Sequence, residues 1–103
     1  MILQEVGYPS AQLLGSSVQK QADFVTYAFS AWSAAGKQLQ FVNFFALHDF
    51  SEQWCDTLLQ YYGVSDTAAS FKAYLCSLGL RRSDGNPKLS WQAMIDATGN
   101  YLR

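Results

Sequence analysis

The sequence predicts an α/β fold built around one strand–helix–strand unit whose two strands are parallel. Two short apolar segments, residues 1–6 and 39–47, have the length and composition of buried strands. An amphipathic helical pattern over residues 17–35 separates them. Parallel neighbours need a crossover of a dozen or more residues, and this helix supplies it. We expect the crossover to be right-handed, as nearly all of them are.

The first strand ends in a carboxylate and a turn. Its apolar residues are Met1, Ile2, Leu3 and Val6, and Glu5 lies close to its carboxyl end. The turn Gly7-Tyr8-Pro9 follows at once. Because α/β barrels build their active sites at the carboxyl ends of strands, Glu5 is a candidate for chemistry. The alternative is that Glu5 is a solvated residue near a chain terminus.

The helix carries one apolar stripe with intervals of three and four residues. Ser16 and Gln19 form a capping-box pattern at its start, and Gly36 is placed to end it. The stripe predicts packing against the sheet, not an aromatic ligand site. Its members are Val18, Ala22, Val25, Phe29 and Trp32.

The second strand is almost continuously apolar, which predicts burial on both faces. Polar and aromatic residues follow it: His48, Asp49 and, after Glu52, Trp54. Because parallel strands end at the same edge of a sheet, we expect these side chains to share a pocket with Glu5.

Two short helices are expected next, over residues 54–62 and 67–78, as insertions above the sheet. Gly63 and Gly79 are placed to end them.

The last element is an amphipathic helix that follows a turn at residues 83–88. Asn86 is the expected cap and Pro87 the first helical residue. The expected apolar face consists of Leu89, Trp91, Met94, Ile95, Thr98 and Leu102.

Size and composition limit the class of protein. The 103 residues form one domain at most; half are hydrophobic and only 15% are charged, against about 25% in average proteins. The net charge of −1, without a basic block, argues against nucleic acid and anionic membrane surfaces as partners. No 18-residue apolar run and no signal peptide follows Met1, although a secreted or periplasmic parent would carry such a signal upstream.

The two cysteines, Cys55 and Cys76, fit neither a metal pair nor a redox motif. With one histidine in the chain, we expect neither a metal site nor another cofactor. Two buried free thiols are the expectation, and a disulfide in an oxidising compartment is the alternative.

Two segments resemble a known enzyme group. Gln4-Glu5-Val6-Gly7-Tyr8-Pro9-Ser10 resembles the strand-seven nucleophile segment of clan A glycoside hydrolases, where Glu precedes a Gly-(Trp/Tyr)-Pro-Ser turn. Residues 79–91, with Asp84-Gly85-Asn86-Pro87-Lys88 at their centre, resemble the approach to the last helix in family-53-like members. The resemblance, to family-53-like and family-17-like enzymes, covers essentially the whole chain in order.

The resemblance implies a partial TIM barrel. Residues 1–103 would be strand seven, helix seven, strand eight and helix eight, with helical insertions after the second strand. A complete (β/α)8 barrel needs about 250 residues. The chain would therefore be the C-terminal βαβα portion of such an enzyme.

The resemblance also implies double-displacement hydrolysis of a β-linked poly- or oligosaccharide, with Glu5 as nucleophile. Retaining glycosidases use a second carboxyl group about 5 Å away. In this clan that acid/base follows strand four, typically in an Asn-Glu pair, and Asp49 and Glu52 are not obvious substitutes. We therefore expect the chain alone to be inactive and to need the missing N-terminal barrel portion as a partner.

Four residues are the expected substrate contacts. The Tyr8 hydroxyl would orient Glu5, or Tyr8 is a packed turn aromatic. His48 would bind a sugar hydroxyl or the nucleophile, against the alternative of a histidine satisfied by backbone or water, and Asp49 would lie beside it. By the resemblance, Trp54 would be a sugar platform, against the alternative of a core residue.

The rival hypothesis is a small non-catalytic α/β binding or association domain. Its two strands would expose unpaired edges, which promote self-association. Upstream DNA that continues in frame with an Asn-Glu pair would favour the fragment, whereas a stop codon and ribosome-binding site there would favour the rival.

Overall fold

The computed structural model describes residues 2–38, 41–63 and 69–101. None of the helices in these ranges has the length and apolar content to cross a membrane. The elements are β1 (Ile2–Val6), α1 (Val18–Ala35), β2 (Phe41–Phe44), α2 (Glu52–Tyr61), α3 (Ala69–Leu75) and α4 (Leu89–Tyr101), with short 3-10 turns at Gln12–Leu14 and Gly36–Gln38.

Strands β1 and β2 pair in parallel, which confirms the predicted arrangement of the sheet. Leu3 lies opposite Val42 and Val6 opposite Phe44, so β1 uses one more residue than β2 over this interval. The extra residue makes a β-bulge, and Glu5 lies within it. Within the described residues the sheet contains these two strands.

The prediction that β2 is buried on both faces is wrong. Val42 and Phe44 are partly buried, whereas Asn43 and Phe45 between and after them are exposed. Helix α1 and the cluster around it cover one face, and no described element covers the other to the same degree. The strand is also shorter than the predicted 39–47, of which residues 39 and 40 lie outside the described ranges.

Helix α1 has the predicted stripe but a different cap. The Ser17 hydroxyl accepts a hydrogen bond from the Lys20 backbone N–H at 3.1 Å. Ser16, the predicted cap, instead donates its hydroxyl to the Pro9 carbonyl at 2.6 Å and closes the turn after β1. Gly36 ends the helix with a φ of 58°, a conformation that favours glycine.

The core lies between α1, α4 and the covered face of β2. Its buried members are Val25, Phe29, Leu80 and Ala97, and Trp32, Phe44, Trp91, Ala93 and Met94 pack against them.

Helix α4 begins at Leu89, two residues later than predicted. Pro87 forms an antiparallel bridge with Arg81 instead of opening the helix. The prediction that Leu89 and Ile95 lie on the buried face is wrong, since both are exposed. The buried side of α4 includes the small residues Ser90 and Ala97, which allow α4 to approach α1 closely.

Helices α2 and α3 form a hairpin that is covalently closed. Cys55 and Cys76 form a disulfide, with their Cα atoms 6.1 Å apart. The expectation of two free thiols is therefore wrong. Helix α3 is shorter than the predicted 67–78, of which residues 67 and 68 lie outside the described ranges.

Candidate active site

Glu5 lies at the bulged end of β1 with its side chain exposed. Its φ of 57° is in the left-handed region, which costs a residue with a side chain about 1–2 kcal/mol. The pairing around it holds this conformation, since the Phe45 N–H donates to the Val6 carbonyl at 2.8 Å. Backbone strain of this kind is concentrated at functional sites, and a bulge changes the direction of a side chain.

A cavity of about 180 Å³ adjoins Glu5. Tyr74 of α3 and Phe45 at the end of β2 border it together with Glu5. The remaining lining is small or apolar: Gly7, Leu75 and Leu78. Neither Tyr74 nor Phe45 was predicted as a site residue, because residue spacing along the sequence does not indicate that they lie near Glu5.

The chain leaving β2 is fixed by backbone pairing. The Arg81 N–H donates to the Leu47 carbonyl at 2.8 Å, and the Asp49 N–H donates to the Arg81 carbonyl at 2.7 Å. His48 lies between these two bonds with its side chain exposed. The imidazole therefore stands on a fixed backbone at the same end of the sheet as Glu5.

The Asp49 side chain makes structural hydrogen bonds and an ion pair. Its Oδ1 accepts from the Gly79 N–H at 2.8 Å and from the Lys88 ammonium at 3.0 Å. The Lys88 side chain is only 1% exposed, and its ammonium also donates to the carbonyls of Ser77 at 3.2 Å and Gly79 at 2.7 Å. Burial lowers the pKa of Lys88, and the Asp49 carboxylate opposes this shift.

A buried glutamine connects the turn after β1 to the same loop. The Gln21 amide donates to the carbonyls of Tyr8 at 2.9 Å and of Ser77 and Gly79 at 3.0 Å. Its carbonyl accepts from the Ser90 hydroxyl at 3.1 Å. Gln21 was not predicted as a site residue, although its position three residues after Val18, on the apolar face of α1, indicates burial. Both strand ends are thus anchored on loop 77–80.

The two aromatic candidates have different surroundings. The ring of Tyr8 stacks on Phe24 of α1, with centroids 5.3 Å apart, which is the packing expected of a turn aromatic. Trp54, in the first turn of α2, is 52% exposed. That exposure argues against the core alternative for Trp54 and leaves its ring accessible to a ligand.

Comparison with solved structures finds a protein of similar fold. No family model and no curated protein matches the sequence. The solved structure of GH5_18 from Streptomyces cattleya in complex with GlcNAc matches 98% of this chain with a TM-score of 0.64 and 24% identity. This chain spans only 20% of that one. GH5_18 is a clan A glycoside hydrolase with a TIM barrel. We conclude that this chain has a helix-rich α/β fold, consistent with part of a TIM barrel.

Proposed function

We propose that this chain is the C-terminal portion of a retaining glycoside hydrolase of clan A that cleaves β-linked poly- or oligosaccharides. The observation that carries the proposal is the position of Glu5, at the bulged end of a strand parallel to β2 in a fold shared with part of such an enzyme. Within the clan, the sequence motifs favour family-53-like and family-17-like members.

In this mechanism Glu5 attacks the anomeric carbon and forms a glycosyl ester, while a second carboxylic acid protonates the leaving oxygen. Water, activated by that second group, then hydrolyses the ester. Glu5 is exposed at the strand end, and the bulge there sets the direction in which its side chain leaves the backbone. The second carboxyl group would come from the N-terminal barrel portion, so this chain alone is inactive.

The apolar surface supports a missing partner. A groove of about 450 Å³ is lined by Trp32 of α1, Phe44 of β2, and Trp91 and Met94 of α4, and the second face of β2 is exposed. In a complete barrel, neighbouring strands and helices cover such surfaces. Without them the same surfaces favour self-association.

The carbohydrate contacts in this proposal are made by His48 and Trp54, which are exposed after β2. The relative was crystallised with GlcNAc, which supports a carbohydrate ligand for this fold. The Tyr8 hydroxyl would orient Glu5 from the turn after β1, with its ring held against Phe24. Asp49 fixes the backbone beside His48, since its N–H donates to the Arg81 carbonyl.

The test is to combine this chain with the barrel portion encoded upstream of it and to assay aryl β-glycosides. We expect Glu5→Gln to reduce turnover by at least about a thousandfold, because a nucleophile is lost. The control Glu52→Gln, an exposed carboxylate in α2, keeps full turnover. A 2-deoxy-2-fluoro glycoside should label the peptide that contains Glu5.

Two results would contradict the proposal. Full activity of the Glu5→Gln barrel would remove Glu5 from the chemistry. Hydrolysis by the chain alone, lost in Glu5→Gln, would show that no upstream portion is needed. A chain that has no upstream portion and still forms a stable assembly would favour the non-catalytic association domain.

A further inference from the structure

Helices α2 and α3 expose an unusual concentration of aromatic side chains. Tyr61 is 80% exposed, Tyr62 58%, Tyr74 41% and Phe71 36%. A group of exposed aromatic rings marks a candidate site for a partner or a ligand. None of the four was a predicted site residue.

These four residues are called here the aromatic row. Tyr74 lines the cavity beside Glu5, and Phe71 lies one helical turn earlier on the same face of α3. The Phe71 ring is 6.2 Å from the Tyr62 ring, centroid to centroid. The Tyr62 ring is 5.4 Å from that of Tyr61. The row therefore leads from the candidate nucleophile to the end of α2.

The scaffold beneath the row is cross-linked. The Cys55–Cys76 disulfide joins α2 to the end of α3. Lys72 also binds Asp56 at 2.7 Å and Glu52 at 3.3 Å across the two helices. Ligand rings can stack on a preorganised surface without paying for its ordering.

We propose that the aromatic row binds successive units of a neutral, β-linked sugar chain whose scissile bond lies at Glu5. The apolar C–H faces of pyranose rings pack on aromatic rings, and three tyrosine hydroxyls offer hydrogen bonds to sugar hydroxyls. The charged side chains beside the row, Lys72, Asp56 and Glu52, pair with one another, which leaves the rings as the binding surface and matches an uncharged ligand. The orientation of the sugar chain, with its scissile bond at Glu5, rests on the proposed function, but its binding to the aromatic row does not.

The experiment is calorimetric titration of the 103-residue chain with cello- and chito-oligosaccharides. We expect affinity to rise from disaccharide to hexasaccharide in at least one series. Tyr62→Ala and Phe71→Ala should each weaken hexasaccharide binding about threefold to tenfold. Tyr27→Ala, which removes a 73% exposed ring from α1, is the matched control and should change nothing. Circular dichroism verifies that each variant is folded.

Three results would overturn the proposal: no binding in either series, affinity independent of length, or equal losses in Tyr27→Ala and Tyr62→Ala. Self-association that Tyr62→Ala abolishes, without sugar binding, would assign the row to a second copy of the chain. Failure of the titration experiment is distinct from failure of the proposed function. The proposed function is tested with the Glu5→Gln variant of the assembled barrel and with short aryl glycosides, which do not reach the row.

Discussion

The Lys88 ammonium lies 3.0 Å from Oδ1 of Asp49, across 39 residues of sequence. Both groups also bind loop 77–80: Lys88 through the carbonyls of Ser77 and Gly79, and Asp49 through the Gly79 N–H. The pair therefore links the end of β2 to the start of α4. It positions His48 and the chain leaving the sheet, and its loss should disturb the candidate site as well as the fold.

Replacement of Lys88 by methionine should lower the free energy of unfolding by about 3 kcal/mol, because Asp49 is left mostly buried without a counter-charge. Urea unfolding measures this. Lys37→Met, at an exposed position, is the control and should stay within about 0.5 kcal/mol of the parent. A Lys88→Met variant as stable as the Lys37 control would show that the pair contributes nothing.

Stability should depend on pH through Lys88. Burial lowers its folded pKa below the ordinary 10.5, so the unfolded chain binds more protons between these two values. The free energy of unfolding should therefore rise with pH in that alkaline window, as far as Lys88 alone contributes. Comparison of the parent with Lys88→Met isolates this contribution from the tyrosines. A contribution that falls with pH would mean that the Asp49 interaction outweighs burial.

Substitution of Gly79 by alanine should be strongly destabilising. A Cβ at this position would collide with the backbone N of Asp49 and the carbonyl group of His48, so the loop must move away from the end of β2. We expect a loss of more than about 2 kcal/mol in thermal or urea unfolding. In Gly99→Ala, on α4, the new methyl group meets open space and should add about 0.5–1 kcal/mol. Similar effects of the two substitutions would contradict the close approach.

Glu5→Gly should stabilise the fold by about 1 kcal/mol, because glycine adopts a φ of 57° without strain. The same substitution removes the candidate nucleophile, so the fold should gain stability while the barrel assembled with the upstream portion loses activity. Glu52→Gly in the first turn of α2 is the control and should destabilise by a similar amount. A destabilised Glu5→Gly variant would show that the strain is absent in solution.

The disulfide determines how the two cysteines should react with an alkylating reagent. The denatured, unreduced chain should react with no iodoacetamide, and the reduced chain should take up two equivalents, as mass spectrometry measures. Because the bridge closes a loop between residues 21 positions apart, its reduction should cost about 3 kcal/mol of stability. Alkylation without reductant would restore the initial expectation of free thiols.

Sequence patterns predicted the helices and the strand pair, but not where each element begins and how it is capped. The spacing of Val25 and Phe29 and the apolar segments on either side of α1 predicted the helix and the parallel strand pair, because periodicity and crossover length are local properties. Caps and helix starts were displaced by one or two residues. Other hydrogen bonds decided these details: the Ser16 hydroxyl, for example, binds the Pro9 carbonyl instead of capping α1.

The surroundings of the candidate site depended on contacts distant in sequence. Glu5 was identified from its place at a strand end, but the bulge that strains it depends on register against β2. The proximity of Tyr74 to Glu5 depends on where α3 lies relative to the end of β1. No spacing rule connects residues separated in this way.

The sequence by itself determined which segments form helices and strands and that a carboxylate ends the first strand, since hydrophobic period and turn chemistry act over a few residues. Tertiary structure alone decided that Asp49 pairs with Lys88, that Gln21 is buried and that the two cysteines join. The physical reason is that burial and charge pairing depend on which distant groups exclude water together, and only the packed chain brings those groups into contact.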